Sequence, residues 1–160
     1  FFDPRIDAAS DPLAGVAFQR EIERRAFRAG GESYHAVAQR LPSVLAPDKA
    51  APDPLPSSYR PGVVGGDLRA IFPGFVLQAL QGALRRFQGA MPGFLSGDAQ
   101  LVGAETRTSA PLRVLRDAAL MSPTLPGLYP CGEGAGYAGG IISAAVDGLR
   151  VADAILAQRA

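Results

Sequence analysis

Tryptophan is absent from this chain, and cysteine, histidine and lysine occur once each. A single cysteine, Cys131, excludes an intrachain disulfide framework and a CxxC redox pair. A single histidine, His35, with no evident carboxylate partner, gives little support to a general base. It reads as an ordinary hydrogen-bonding or surface residue. No Ser-His-Asp set, paired-carboxylate cleft or metal cluster stands out. Charge of one sign is lacking too: the net value is +1, which makes no electrostatic case for nucleic acid or an anionic membrane. No apolar run approaches the roughly 18 residues of a membrane span. The chain as given opens without a signal peptide, which for a fragment does not settle targeting; a cytoplasmic protein is the expectation. What remains is a globular composition, 48% hydrophobic and 19% charged, over 160 residues. That length suffices for one domain with a real core. Glycine (19) and proline (14) are abundant but fall short of the roughly 25–30% that marks low complexity.

The glycines are unevenly placed. Residues 127–150 read as a short buried strand at Leu128, a glycine loop, and a long helix from about Ile141. Gly132, Gly134, Gly136, Gly139 and Gly140 fall within nine residues of one another. Glycine there permits positive φ and lets a ligand approach the main chain. A helix that starts after such a loop presents free N–H donors and a partial positive charge. This suits a pyrophosphate or the pyrimidine edge of a flavin. The spacing is not GxGxxG, because Tyr137 follows Gly136, and no Walker lysine is present. A helix packed tightly on a sheet would use the same glycines, so both readings stand on spacing alone.

Upstream, Asp11 and Pro12 mark the start of a helix over about 13–29, with Ala14, Phe18, Ile22 and Ala26 as its apolar stripe. Its arginines read as a solvated face, with phosphate binding as the alternative. Gly30 and Gly31 end it. Residues 36–40 alternate weakly and suggest a short strand. The proline-rich stretch 46–62, with Lys49 in it, reads as an exposed mobile linker. Asp67 caps a turn over 68–72, and Pro73 restarts a helix over 74–88 with Val76, Leu80, Leu84 and Phe87 inward. Phe94 is placed against that helix. Strands are expected over 99–106 and 112–116. The last helix, 141–158, is apolar nearly all round and is expected to be buried. Ser143, Asp147, Arg150 and Gln158 form its wet side, and Gly148 implies close packing.

Two segments carry a resemblance. Gly127 to Ile155 resembles the C-terminal signature of FAD-dependent, so-called NAD(FAD)-utilising, dehydrogenases. Glu105-Thr-Arg-Thr-Ser-Ala-Pro-Leu-Arg-Val-Leu-Arg-Asp117 resembles a second segment of that family. The likeness covers most of the chain and is weakest across 45–65. It implies a mixed α/β fold: a fragment of a two-dinucleotide-binding, FAD-type Rossmann-like flavoprotein. Residues 1–97 would be a mostly helical insertion on the substrate side, and 98–160 the closing strands and C-terminal helix of the FAD domain. The partner would be the missing N-terminal half of the same polypeptide. The resemblance implies FAD as cofactor, with NAD(P)H a candidate electron donor and the substrate unknown. It places Gly132, Glu133 and Gly134 at the cofactor, with Glu133 toward a ribityl hydroxyl or a phosphate-bound water. The backbone of Gly139, Gly140 and Ile141 would face the flavin pyrimidine edge. Arg107 and Thr108 would stand near the flavin or an anionic substrate, although an ion pair of Arg107 with Glu105 or Asp117 is an equal alternative. Tyr137 would cover the ring or pack in the loop. Cys131, where the family has a small residue, is expected to be buried. Intact, such a protein is an oxidoreductase, and this portion alone is expected to be inactive. The alternative is a non-catalytic structural or interaction domain whose glycine loop serves only the fold.

Overall fold

A computed structural model describes residues 11–46 and 53–158. Its elements are α1 (Ala14–Ala29), β1 (Ala36–Arg40), α2 (Leu41–Leu45), β2 (Val63–Gly65), a 3-10 turn (Leu68–Ala70), α3 (Gly74–Ala90), β3 (Gln100–Gly103) and α4 (Ile141–Ala157). The chain divides into two compact units, residues 20–105 and residues 1–19 with 106–160. The sequence boundary at 97/98 falls inside the first of these.

In unit 20–105 the sheet is organised on β1. Its order is β2-β1-β3, with β2 parallel to β1 and β3 antiparallel. Successive side chains of a strand point to opposite faces, and Val37, Ala38 and Gln39 are all buried, so β1 is covered on both faces. Burying the Gln39 amide requires a partner, and its Oε1 accepts the Leu68 N–H at 3.0 Å. Leu41, Val44, Leu68, Ile71, Leu77 and Leu84 complete the core around Val37. Asp67 caps the 3-10 turn as expected: its carboxylate accepts the Arg69 N–H at 2.9 Å. Pro73 is the N-cap of α3, and Leu77 and Leu84 are its buried residues. Phe94 meets Phe87 edge-on at 5.4 Å between ring centroids. The C-terminal part of α1 buries Ile22, carries the Glu21–Arg25 pair at 2.8 Å, and ends at Gly31 with φ +78°.

Two features of this unit differ from expectation. Strand β2 lies just beyond the proline-rich stretch and carries no alternation that announces it; three residues are too few to show a period. The described part of that stretch is not free either. Gln100 uses both ends of its amide on Leu55, donating to the carbonyl at 2.9 Å and accepting the N–H at 2.7 Å. A side-chain amide that imitates a strand neighbour leaves no trace in composition. Lys49 lies outside the described residues.

Unit 1–19 with 106–160 departs further. No strand forms over 112–116 or at Leu128. A strand needs a neighbour to complete its ladder, and Val114 finds a single backbone bond, from its N–H to the Ala135 carbonyl at 3.1 Å. Leu128 sits in a turn, 44% exposed. Helix α4 forms where expected but is not buried. Ile141 is 89% exposed and Ile142 76%, and Leu149 and Leu156 are exposed as well. Its buried residues are Asp147 and Val151, so Asp147, expected on the wet side, is on the covered one. An apolar helix needs cover all round, and the described residues supply it along one stripe only. Gly148 has open space where a Cβ would stand, so close packing within the unit does not account for it. Cys131 is exposed, not buried.

Candidate functional site

The glycine loop before α4 is held by a charged clamp. The Asp147 carboxylate takes both terminal nitrogens of Arg116, at 2.7 and 2.9 Å, and the Gly132 N–H at 2.9 Å. Arg116 also donates to the Pro130 carbonyl at 3.0 Å. The pair is well covered, with the side chains 11% and 8% exposed. The Arg116 fork, with the Gly132 N–H second, holds the Asp147 carboxyl at about 2, against the opposing effect of burial. The same hydrogen bonds raise Arg116 above its ordinary value. Charged residues are rarely buried unless paired, and of the charged residues of α4, Asp147, Arg150 and Asp153, Asp147 is the buried one. Arg116 had no sequence signal.

Tyr137 closes the loop from the other side. The Arg116 guanidinium lies 3.6 Å from its ring centre and that of Arg113 4.9 Å. The Tyr137 hydroxyl donates to the Val114 carbonyl at 2.9 Å, and the Arg113 Nε–H to the Gly136 carbonyl at 3.1 Å. The Tyr137 hydroxyl is therefore engaged with backbone.

The glycines now separate by cause. Gly136 has φ +83°, and a Cβ there would stand 2.3 Å from the Leu112 carbonyl oxygen. Gly132 has φ +70° and turns its N–H to Asp147. The fold itself requires those two. Gly134 has neither a positive φ nor any atom within 4 Å of a Cβ, so nothing in the described residues demands it. Gly140 is the N-cap of α4, and no side chain caps the helix. Ile141 is its first residue.

Two open clefts flank residues 109–110. One, of about 410 Å³, is lined by Val16, Gln19, Arg107, Ser109, Ala110, Pro111, Leu112, Glu133 and Gly134. Gln19 ties its wall together by donating to the Thr106 carbonyl at 2.7 Å. The structure thus brings Glu133, Gly134 and Arg107 to one cleft. The second cleft, of about 280 Å³, is lined by Ser109, Ala110, Arg113, Gly136, Tyr137, Ala138 and Gly139. Thr108 is exposed and lines neither cleft. Ser109, which lines both, was not singled out from the sequence. Among the described residues no group of three or more His, Cys, Asp or Glu could hold a metal ion. None of the helices among the described residues is long and apolar enough to cross a membrane.

Comparison with known proteins bears on this arrangement. The pattern of a family described as FAD-dependent protein, C-terminal domain-like, matches residues 2–108. The glycine loop lies outside that match. An uncharacterized protein of Clostridium beijerinckii (strain ATCC 51743 / NCIMB 8052) is 44% identical over 156 residues, which is 96% of this chain and 29% of the relative. The chain therefore spans less than a third of the length of that relative. With the match covering well over half of its residues, this chain belongs to the family of FAD-dependent protein C-terminal domain-like sequences.

Proposed function

We propose that this chain is the C-terminal part of a larger FAD-dependent oxidoreductase. Its glycine loop and the start of α4 would complete a flavin site whose greater part, a Rossmann-like FAD domain, lies elsewhere in the polypeptide. The observation that carries the reading is the uncapped start of α4, preceded in the chain by a loop glycine, Gly134, that the fold does not require. An uncapped helix start offers N–H donors and positive potential to electron-rich groups. The exposed Ile141 and Ile142 add apolar surface at the same point. The residues thus fit a ligand with an anionic part and a flat apolar part. When bound, a flavin supplies the hydride chemistry, and NAD(P)H is the proposed donor.

In this reading Glu133 accepts a hydrogen bond from a ribityl hydroxyl or from a phosphate-bound water. The N–H groups at Gly139, Gly140 and Ile141 stabilise negative charge at the pyrimidine edge. Gly132 owes its place to the Asp147 clamp and keeps the loop in position. Arg107, which lines the same cleft as Glu133, sets the local charge, and Thr108 is the weakest of the proposed contacts because it stands outside the cleft.

The test is Glu133→Ala in the longer polypeptide. Loss of a charge-assisted hydrogen bond is expected to weaken FAD retention about tenfold or more. The flavin-to-protein ratio after dialysis reads this directly. An unchanged ratio would remove Glu133 from the site.

A further inference from the structure

The second cleft has a chemistry of its own, independent of the flavin reading. Of its lining residues, Arg113 alone carries a charge. Its guanidinium is fixed at two points, through Nε on the Gly136 carbonyl and through its face near the Tyr137 ring. Those contacts occupy the edge and the face of the group. They leave the paired terminal nitrogens with no acceptor among the described residues. Arg116, the other guanidinium on Tyr137, is neutralised by Asp147, so the charge of Arg113 is the uncompensated one. The Ser109 side chain lies close to Gly139, 3.4 Å from where a Cβ on Gly139 would be. The Ala138 and Gly139 N–H groups have no backbone acceptor among the described residues.

We infer that this cleft binds a carboxylate, held side-on by the terminal nitrogens of Arg113 with Ser109 and the Ala138 N–H as further donors. A planar guanidinium with its Nε already engaged presents two parallel N–H groups, and that fork matches a carboxylate. The volume of about 280 Å³ accommodates a small organic acid. A site for phosphate commonly gathers more than one cation or a full nest of N–H groups, and only one free cation stands here.

The test is titration of the 160-residue chain with acetate, and separately with inorganic phosphate, followed by amide and guanidinium NMR. Saturable acetate shifts at Ala138, Gly139 and the Arg113 Nε–H are expected, with phosphate binding more weakly. Arg113→Gln is expected to weaken acetate binding about tenfold or more, and Arg113→Lys by an intermediate factor, since it keeps the charge and loses the fork. Acetate shifts that are absent or lie elsewhere on the chain would overturn the inference. So would phosphate binding as tightly as acetate, or Arg113→Lys binding like the parent. The mapping on the parent chain decides the question even where Arg113→Gln unfolds. Failure of Glu133→Ala to alter flavin retention would leave this result untouched.

Discussion

Gly136→Ala is expected to lower the unfolding free energy of this chain by at least about 3 kcal/mol. A left-handed conformation costs an L-residue roughly 1–2 kcal/mol. At φ +83° alanine meets that cost in full. The added Cβ would also stand 2.3 Å from the Leu112 carbonyl oxygen and 3.0 Å from the Arg113 Cα, both backbone atoms that have no rotamer to escape into. Relief therefore requires residues 112–114 to move away from the loop, with loss of the bond between Val114 and Ala135. Gly134→Ala is the matched control, two residues away in the same loop. Nothing lies within 4 Å of its Cβ position, and its φ is not positive, so a change within about 0.5 kcal/mol is expected. Denaturant unfolding of the two variants side by side measures the difference. Equal costs would show that the loop is not held as described.

Asp147→Ala is expected to cost about 3–5 kcal/mol, the range for removing one member of a buried ion pair. Arg116 would keep its charge in a covered site, and the Gly132 N–H would lose its acceptor. The pair also makes a pH prediction. The folded-state value of Asp147, about 2, lies below the ordinary 3.8, so the ionised form is favoured by folding. The stabilisation is complete above about 4 and is lost as pH falls toward 2. Its size is about 2 kcal/mol by linkage. In Asp147→Asn this acid-side component is expected to vanish, while stability at neutral pH drops. A parent and an Asn variant with parallel pH profiles between 4 and 2 would contradict the clamp. Asp147→Leu combined with Arg116→Met is expected to recover much of the loss, because a removed pair leaves no stranded charge.

The parts legible in the sequence were those written in local signals. The Asp67 cap, the Pro73 break, the Gly31 stop and the stripe of α1 depend on residues within a turn or two of each other; in α3 Leu84 is buried as expected, whereas Phe87, expected inward, is 46% exposed and Leu77 is buried instead. The strands expected at 112–116 and Leu128 do not form: apolar content resembles a strand whether or not a neighbour exists to pair with. Leu112 and Val114 serve instead as a brace for the glycine loop. Asp147 was assigned to the solvent side because a carboxylate on an apolar helix is usually wet. Its partner stands 31 residues away, in a segment with no regular structure. Helix α4 is apolar as expected but is not buried. A helix with Ile141, Ile142, Leu149 and Leu156 exposed has a sequence suited to more cover than the described residues provide. That mismatch supports the proposal of a larger polypeptide, as does a relative more than three times as long. Among the candidate site residues, Glu133, Gly134 and Arg107 share a cleft, while Thr108 stands apart. Neighbourhood in sequence could not separate Arg107 from Thr108, because adjacent residues in an irregular segment face different ways.

The central claim is that this chain completes a flavin site, and the visible absorption spectrum tests it most directly. The longer polypeptide, purified and then reconstituted with FAD, is compared with the 160-residue chain given FAD alone. The account predicts flavin bands that stay with the longer protein through gel filtration and do not stay with the isolated chain. A longer protein that retains no flavin after reconstitution would contradict it, and would leave the glycine loop as a structural element braced by Asp147 and Arg116.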